Sequence, residues 1–243
     1  MDFFILYYVM GIIMIPGIIF ASVAQAKIYS AYSNYSKIPT KKGERAKDVA
    51  ERVLERNGLY EVSVQKISGN LTDNFNPKTQ VVSLSEKVYD GVDIASISIA
   101  LHEVGHAIQH AKGYAPAKMR LGLVPVINVF SQMLWPLVII GLIISFFAGF
   151  NNIVGQIFIG LGVAFFALST IFALITLPTE LDASKRAKEQ IMELNQMDEE
   201  ELEGAKKVLS AAAMTYVASL LVSILNLLRF VLTILILRNN DRR

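Results

Sequence analysis

The 243-residue sequence predicts an α-helical integral membrane protein with about four transmembrane helices and a small α+β region on one membrane face. Three observations carry this reading. Hydrophobic residues make up 53% of the chain and mean hydropathy is +0.44, more apolar surface than a core of this size can hide. That surface is concentrated in four long apolar stretches, separated by polar and charged segments. All three histidines of the chain lie in one polar segment, between positions 102 and 110. The net charge of +2 lends no support to a nucleic-acid partner, so the expected surroundings are a lipid bilayer. The chain has no cysteine, so any metal must be held by His, Asp or Glu.

Phe3 to Ala24 form the first apolar stretch. Ala24-Gln25-Ala26 resembles a signal-peptidase site, but Asp2 stands where a signal peptide carries Lys or Arg, and the apolar run is too long. Residues 1–25 are therefore expected to be an uncleaved anchor. Residues 26–125 open the soluble part. Ala46, Val49, Ala50, Val53 and Leu54 recur at helical spacing and predict an amphipathic helix from about Arg45 to Arg56. Val62, Val64 and Ile67 suggest one short strand and Gln80 to Leu84 another, with turn residues over Asn74 to Lys78. Asp93 suits an N-cap and Gly113 a C′ position. Between them Ile97, Leu101, Val104 and Ile108 form one apolar stripe, leaving His102 and His106 on another face.

Residues 126–177 hold two further apolar stretches, read as a hairpin turning at Asn151-Asn152. Pro178 is expected to end the second, with Thr179 capping a new helix and Asp182 three residues on. Residues 178–207 are charged, and Asp198 to Glu201 suit the first turn of a helix. Residues 208–243 carry the last apolar stretch and a basic tail. Lys and Arg near the ends of the apolar stretches place the polar regions in the cytoplasm by the positive-inside rule, although Arg238, Arg242 and Arg243 weigh the other way.

His102 and His106 are four residues apart with Glu103 beside the first. On a helix both imidazoles leave one face a turn apart, the spacing a tetrahedral zinc ion accepts, and the glutamate is placed as general base. A zinc ion there lowers the pKa of a bound water to about 7. A third ligand must come from elsewhere, and Glu180 and Asp182 are the candidates. Asp182 is alternatively an acceptor for a ligand histidine N–H, and His110, two turns beyond His102, is read as solvated or in that same supporting role. Arg186 and Tyr216 are candidates for holding a developing oxyanion.

Several separated motifs occur together: Leu71-Thr72-Asp73, Val82 to Ser85, Ala100 to His110, Thr176 to Ser184, and Val208 to Val217. In these the chain resembles the YugP-type family of bacterial membrane zinc metallopeptidases and, more distantly, HtpX-like and CAAX-processing membrane proteases. The resemblance implies a zincin-like catalytic domain, one zinc ion per chain, a bacterial cell-membrane location and polypeptide substrates. It favours Glu180 as third ligand, because Glu180-Leu181-Asp182-Ala183 fits a Glu-x-x-Ala pattern. It also implies a substrate held as an added β-strand near Gln80, Val81, Val82 and Ser83. The chain departs from the family at Asn74-Phe75-Asn76-Pro77, where a His would follow Asp73.

The function expected is a membrane-anchored zinc endopeptidase that cleaves membrane or membrane-proximal proteins, with His102, His106 and Glu180 on zinc and Glu103 as base. Two alternatives stand beside it. One is a site-2-type intramembrane protease, which would place His102 to His106 inside a span and leaves Asp90, Asp93 and Lys112 in poor surroundings. The other is a non-enzymatic zinc-stabilised scaffold or adaptor, which has no use for Glu103. A second copy of the chain or a membrane-protein regulator is a further candidate partner.

Overall fold

The computed structural model describes residues 3–149 and 152–240. Asp2, Asn151, Arg242 and Arg243, which carry expectations from the sequence, lie outside them. Helix α1 (Phe3–Met10) passes through a 3₁₀ turn, Gly11–Met14, into α2 (Ile15–Tyr35). Then come α3 (Ala46–Arg56), β1 (Ser63–Ile67), β2 (Asn74–Asn76), β3 (Val81–Ser85), the short α4 (Glu86–Tyr89) and α5 (Ile94–Ala111). Three long helices complete the chain: α6 (Ala115–Ala148), α7 (Ile153–Glu193) and α8 (Glu199–Asn240). Among the described residues four helical stretches are long and apolar enough to cross a membrane: Tyr8–Tyr35, Ala115–Ser145, Ile153–Glu193 and Glu199–Ile236. α5 is not one of them.

The chain divides into two compact units. The first comprises Met1–Ser22, Met119–Ile175 and Val217–Arg243. Here α6 and α7 meet through stacked Phe130 and Phe165, with ring centroids 4.4 Å apart. The hydroxyls of Thr170 on α7 and Ser223 on α8 are 3.0 Å apart, a polar link of the kind that joins apolar helices. Exposed Ile, Leu, Val and Phe side chains cover much of this unit's outer surface.

The second unit comprises Val23–Lys118 and Thr176–Tyr216. Its core is the meeting of α3, the sheet and α5. The stripe expected on α3, Ala46, Val49, Ala50, Val53 and Leu54, is fully buried, as are Ile97, Leu101, Val104 and Ile108 of α5. α7 adds Ala187 and Ile191 to this core, and α8 adds Ala205 and Leu209. The Asp93 carboxylate caps α5, accepting from Ser96 N–H and Ser96 O–H at 2.8 Å each. Gly113 ends the helix with φ +66°, a conformation that costs glycine least. At the start of α8, Asp198 and Glu201 exchange backbone N–H bonds of 2.9 Å, a reciprocal capping box.

The sheet order is β1-β3-β2. β3 pairs parallel with β1 over five residues and antiparallel with β2 over three. The turn expected over Asn74 to Lys78 therefore contains a strand, β2. A larger correction concerns the substrate strand. Val81, Val82 and Ser83 lie in the central strand, paired on both sides, and Gln80 precedes it with φ +55° while its carbonyl accepts from Ser63 N–H at 3.0 Å. A strand whose donors and acceptors are already used on both edges cannot take up another chain.

The helix break expected at Pro178 is also absent. α7 continues through it as one helix of 41 residues. The proline has no N–H to give the helix, and α7 runs on across it all the same. Thr179 is therefore not a cap, and Glu180 lies within a helix rather than at its start.

Candidate metal centre

Local sequence positions one half of the centre. On α5 the buried stripe turns inward, and the neighbouring face carries His102 and His106, whose rings lie edge to face with centroids 4.8 Å apart. α7 supplies the other half. Its helix passes so close that a Cβ added at Gly105 would lie 2.6 Å from the Ala183 carbonyl oxygen. Gly105 sits between the two histidines, and only a residue without a side chain admits this approach.

The close packing brings Glu180, which is 1% exposed, under both imidazoles. Its Oε2 lies 3.1 Å from His102 Nε2 and 3.5 Å from His106 Nε2. One donor atom from each of the three residues falls within 4.8 Å of the others. Among the described residues this is the group of His and carboxylate side chains able to hold a metal. The donors suit zinc: two imidazole nitrogens and a carboxylate oxygen, with a coordination position left for a reactant. Geometry thus prefers Glu180 over Asp182 as the third donor.

The far sides of both rings are held as well. His102 Nδ1 is 3.1 Å from Ser184 Oγ, and His106 Nδ1 is 3.0 Å from Gln109 Oε1. Gln109 in turn donates to the Thr179 carbonyl at 2.7 Å and to Asp182 Oδ2 at 2.8 Å. Asp182 Oδ2 also accepts from Arg186 Nε at 2.6 Å. Asp182 thus reaches His106 through Gln109, not by accepting the histidine N–H itself. Arg186 is engaged by Asp182 and lies 5.9 Å from the Tyr114 ring centre. Sequence pattern alone gives Ser184 and Gln109 no role. Gln109 was findable, since it stands one helical turn after His106; Ser184 was not, because its partner is 82 positions away.

His110 is outside this group. Its Nδ1 is buried with no hydrogen-bond partner, and its ring meets Phe75 of β2 at 6.1 Å. Glu103 is half-buried. Burial pushes its carboxyl up, against the lowering pull of His102 and His106. Burial disfavours charge on His106, but the Glu180 hydrogen bond and the Glu103 charge more than offset it and leave that imidazole raised. Asp73 is pushed up by burial while it accepts from Ser85 N–H at 2.7 Å, bracing β3 against the loop before β2. Asn74, at the position where a family histidine was expected, donates to the Thr72 carbonyl at 2.9 Å.

Long apolar helices together with a two-histidine, one-glutamate cluster point to a class, that of membrane-associated metal-binding proteins. Comparison with known proteins narrows it. Residues 10–235 match the family model described as "Putative neutral zinc metallopeptidase". The chain is 44% identical over 212 residues to the "Putative membrane protease YugP" of Bacillus subtilis (strain 168), covering 87% of this chain and 90% of that one. The chain belongs to this YugP-type zinc metallopeptidase family. No solved structure gives a significant match.

Proposed function

We propose that this protein is a membrane-anchored zinc endopeptidase that cleaves membrane or membrane-proximal polypeptides. The observation that carries the reading is the convergence of His102, His106 and Glu180 from two helices, with donor atoms within 4.8 Å. On this reading residues 1–25, 126–177 and 208–243 form the membrane part, and residues 26–125 and 178–207 the catalytic part, facing the cytoplasm. His102 and His106 would hold one zinc through Nε2, and Glu180 through its carboxylate. Bound there, zinc supplies a Lewis acid that polarises the scissile carbonyl and makes water nucleophilic at neutral pH.

Glu103 performs the proton transfers. Its carboxylate takes a proton from the attacking water and returns it to the leaving amine nitrogen, so that carbonyl–nitrogen cleavage is balanced by carbonyl–oxygen formation. Burial raises its carboxyl above the usual carboxylate value, the direction expected of a group that takes up a proton before passing it on. Ser184 and Gln109 orient the two imidazoles. The substrate backbone is expected along β2, not β3. Among the described residues β2 is an edge strand, paired to β3 alone, and Phe75 brings it against α5. Pairing through backbone groups accepts many sequences.

Glu103→Gln tests the reading. The variant keeps the zinc ligands and loses the base. Metal analysis should find zinc at the wild-type level, while hydrolysis of a membrane-protein substrate falls by about 100-fold or more. Removing zinc from the wild type with a chelator should abolish hydrolysis, and restoring zinc should recover it. Undiminished cleavage by Glu103→Gln would sink the assignment of the base.

A further inference from the structure

Gln109 is 0% exposed, and a buried amide is stable only when its polar atoms are paired. Its amide orientation follows from its partners. Nε2 faces the Thr179 carbonyl and Asp182 Oδ2, and Asp182 also receives the Arg186 guanidinium. A carbonyl and an ionised carboxylate only accept, so the NH₂ group must be the end that faces them. Oε1 is then left facing His106 Nδ1 at 3.0 Å, and an amide oxygen only accepts. Nδ1 must therefore carry a proton, so the neutral imidazole that a metal requires keeps its lone pair on Nε2, the atom on the Glu180 side, where a second proton would otherwise donate to that carboxylate.

His102 has no equivalent constraint from Ser184. A hydroxyl donates or accepts with equal ease and rotates to suit either tautomer. The two imidazoles are thus held differently, and the difference traces to a chain of three residues.

Resting on the zinc reading above, we propose that Gln109 is the positioning residue that fixes His106 as a metal ligand. Asp182 and Arg186 set its amide orientation from α7. The device links the two helices of the centre: Gln109 belongs to α5, and all of its Nε2 partners belong to α7. It also gives the Asp182–Arg186 pair a use beyond helix stability, since without that carboxylate one of the two acceptors that orient the amide is lost.

The test uses the full chain purified in detergent, with zinc affinity measured by competition against a chromophoric chelator. Gln109→Leu should bind zinc about 10- to 100-fold more weakly than wild type, whereas Ser184→Ala should lose less. The His106 Nδ1–H proton signal, seen by nuclear magnetic resonance in the zinc-loaded wild type, should shift or be lost to exchange in Gln109→Leu. Gln109→Glu should also weaken zinc binding, because a second carboxylate then faces Asp182 and the Thr179 carbonyl. Adding Asp182→Asn to it restores a donor between them and should recover much of the affinity. That recovery decides the matter if Gln109→Leu does not fold, because a merely structural glutamine would not be rescued at a partner. Unchanged zinc affinity and an unchanged Nδ1–H signal in Gln109→Leu would overturn the role of Gln109. So would a failure of Asp182→Asn to improve Gln109→Glu. A wild-type chain that takes up no zinc would instead overturn the metallopeptidase reading itself.

Discussion

The two helices that build the centre differ in how they acquire their roles. α5 is specified locally: a capping aspartate, an apolar stripe, two histidines at one-turn spacing and a terminal glycine all lie within 21 residues, Asp93 to Gly113. α7 is specified by its surroundings. Glu180 occupies a helix interior beyond a proline, in a run whose local signals favour a break there. It becomes part of the centre only because Gly105 lets α7 reach α5. A motif can thus announce half of a metal site while the other half depends on packing alone.

The largest effect should come from the half that packing supplies. Glu180→Ala removes a donor that touches both imidazoles, and zinc content after gel filtration should fall to near background. Asp182→Ala leaves all three donors in place and should cost only about 10-fold in zinc affinity, through Gln109. The reverse order would move the third ligand to Asp182.

Gly105→Ala strikes the approach itself. A methyl group 2.6 Å from the Ala183 carbonyl forces α5 and α7 apart. Overpacking of this kind costs about 1–3 kcal/mol, and zinc affinity should fall with it, because the donors on the two helices separate. Chemical denaturation and chelator competition measure the two effects. A stable variant with full zinc affinity would show that the helices need not touch at this position.

The local half should prove more tolerant. Asp93→Ala removes the cap of α5 but leaves its buried stripe, and is expected to cost about 1 kcal/mol with zinc affinity little changed. A large loss of zinc there would mean that α5 is held at its end and not along its packed face.

The same contrast explains what was legible in the sequence. The buried face of α3 could be read residue by residue, since Ala46, Val49, Ala50, Val53 and Leu54 need only helical periodicity to be found. Asp93 and Gly113 were legible as caps for the same reason. Strand order was not. Val82 of β3 and Phe75 of β2 are partners in the ladder, but nothing in their own segments says which strand lies at the edge. The strand expected from the sequence to receive substrate, Gln80 to Ser83, therefore falls at the centre of the sheet. Ser184 is silent in the sequence because an uncharged side chain gains meaning only from the atoms opposite it, here 82 positions away, whereas Gln109 stands one turn after His106.

Pro178→Ala bears on the one point where local signal and packing disagree outright. Proline in a helix interior lacks the N–H that would bond the Leu174 carbonyl, and in an isolated helix it is less favourable than alanine by about 3 kcal/mol. α7 is helical across it regardless. If surrounding contacts alone keep the helix continuous, alanine adds a backbone bond and removes nothing. The melting temperature of the zinc-free protein should then rise, with zinc affinity unchanged. A fall in zinc affinity, with or without a rise in stability, would mean that the proline bends α7 so that Glu180 meets the histidines. In that case the residue that looks like a stop signal would be part of how the non-local half of the centre is aimed.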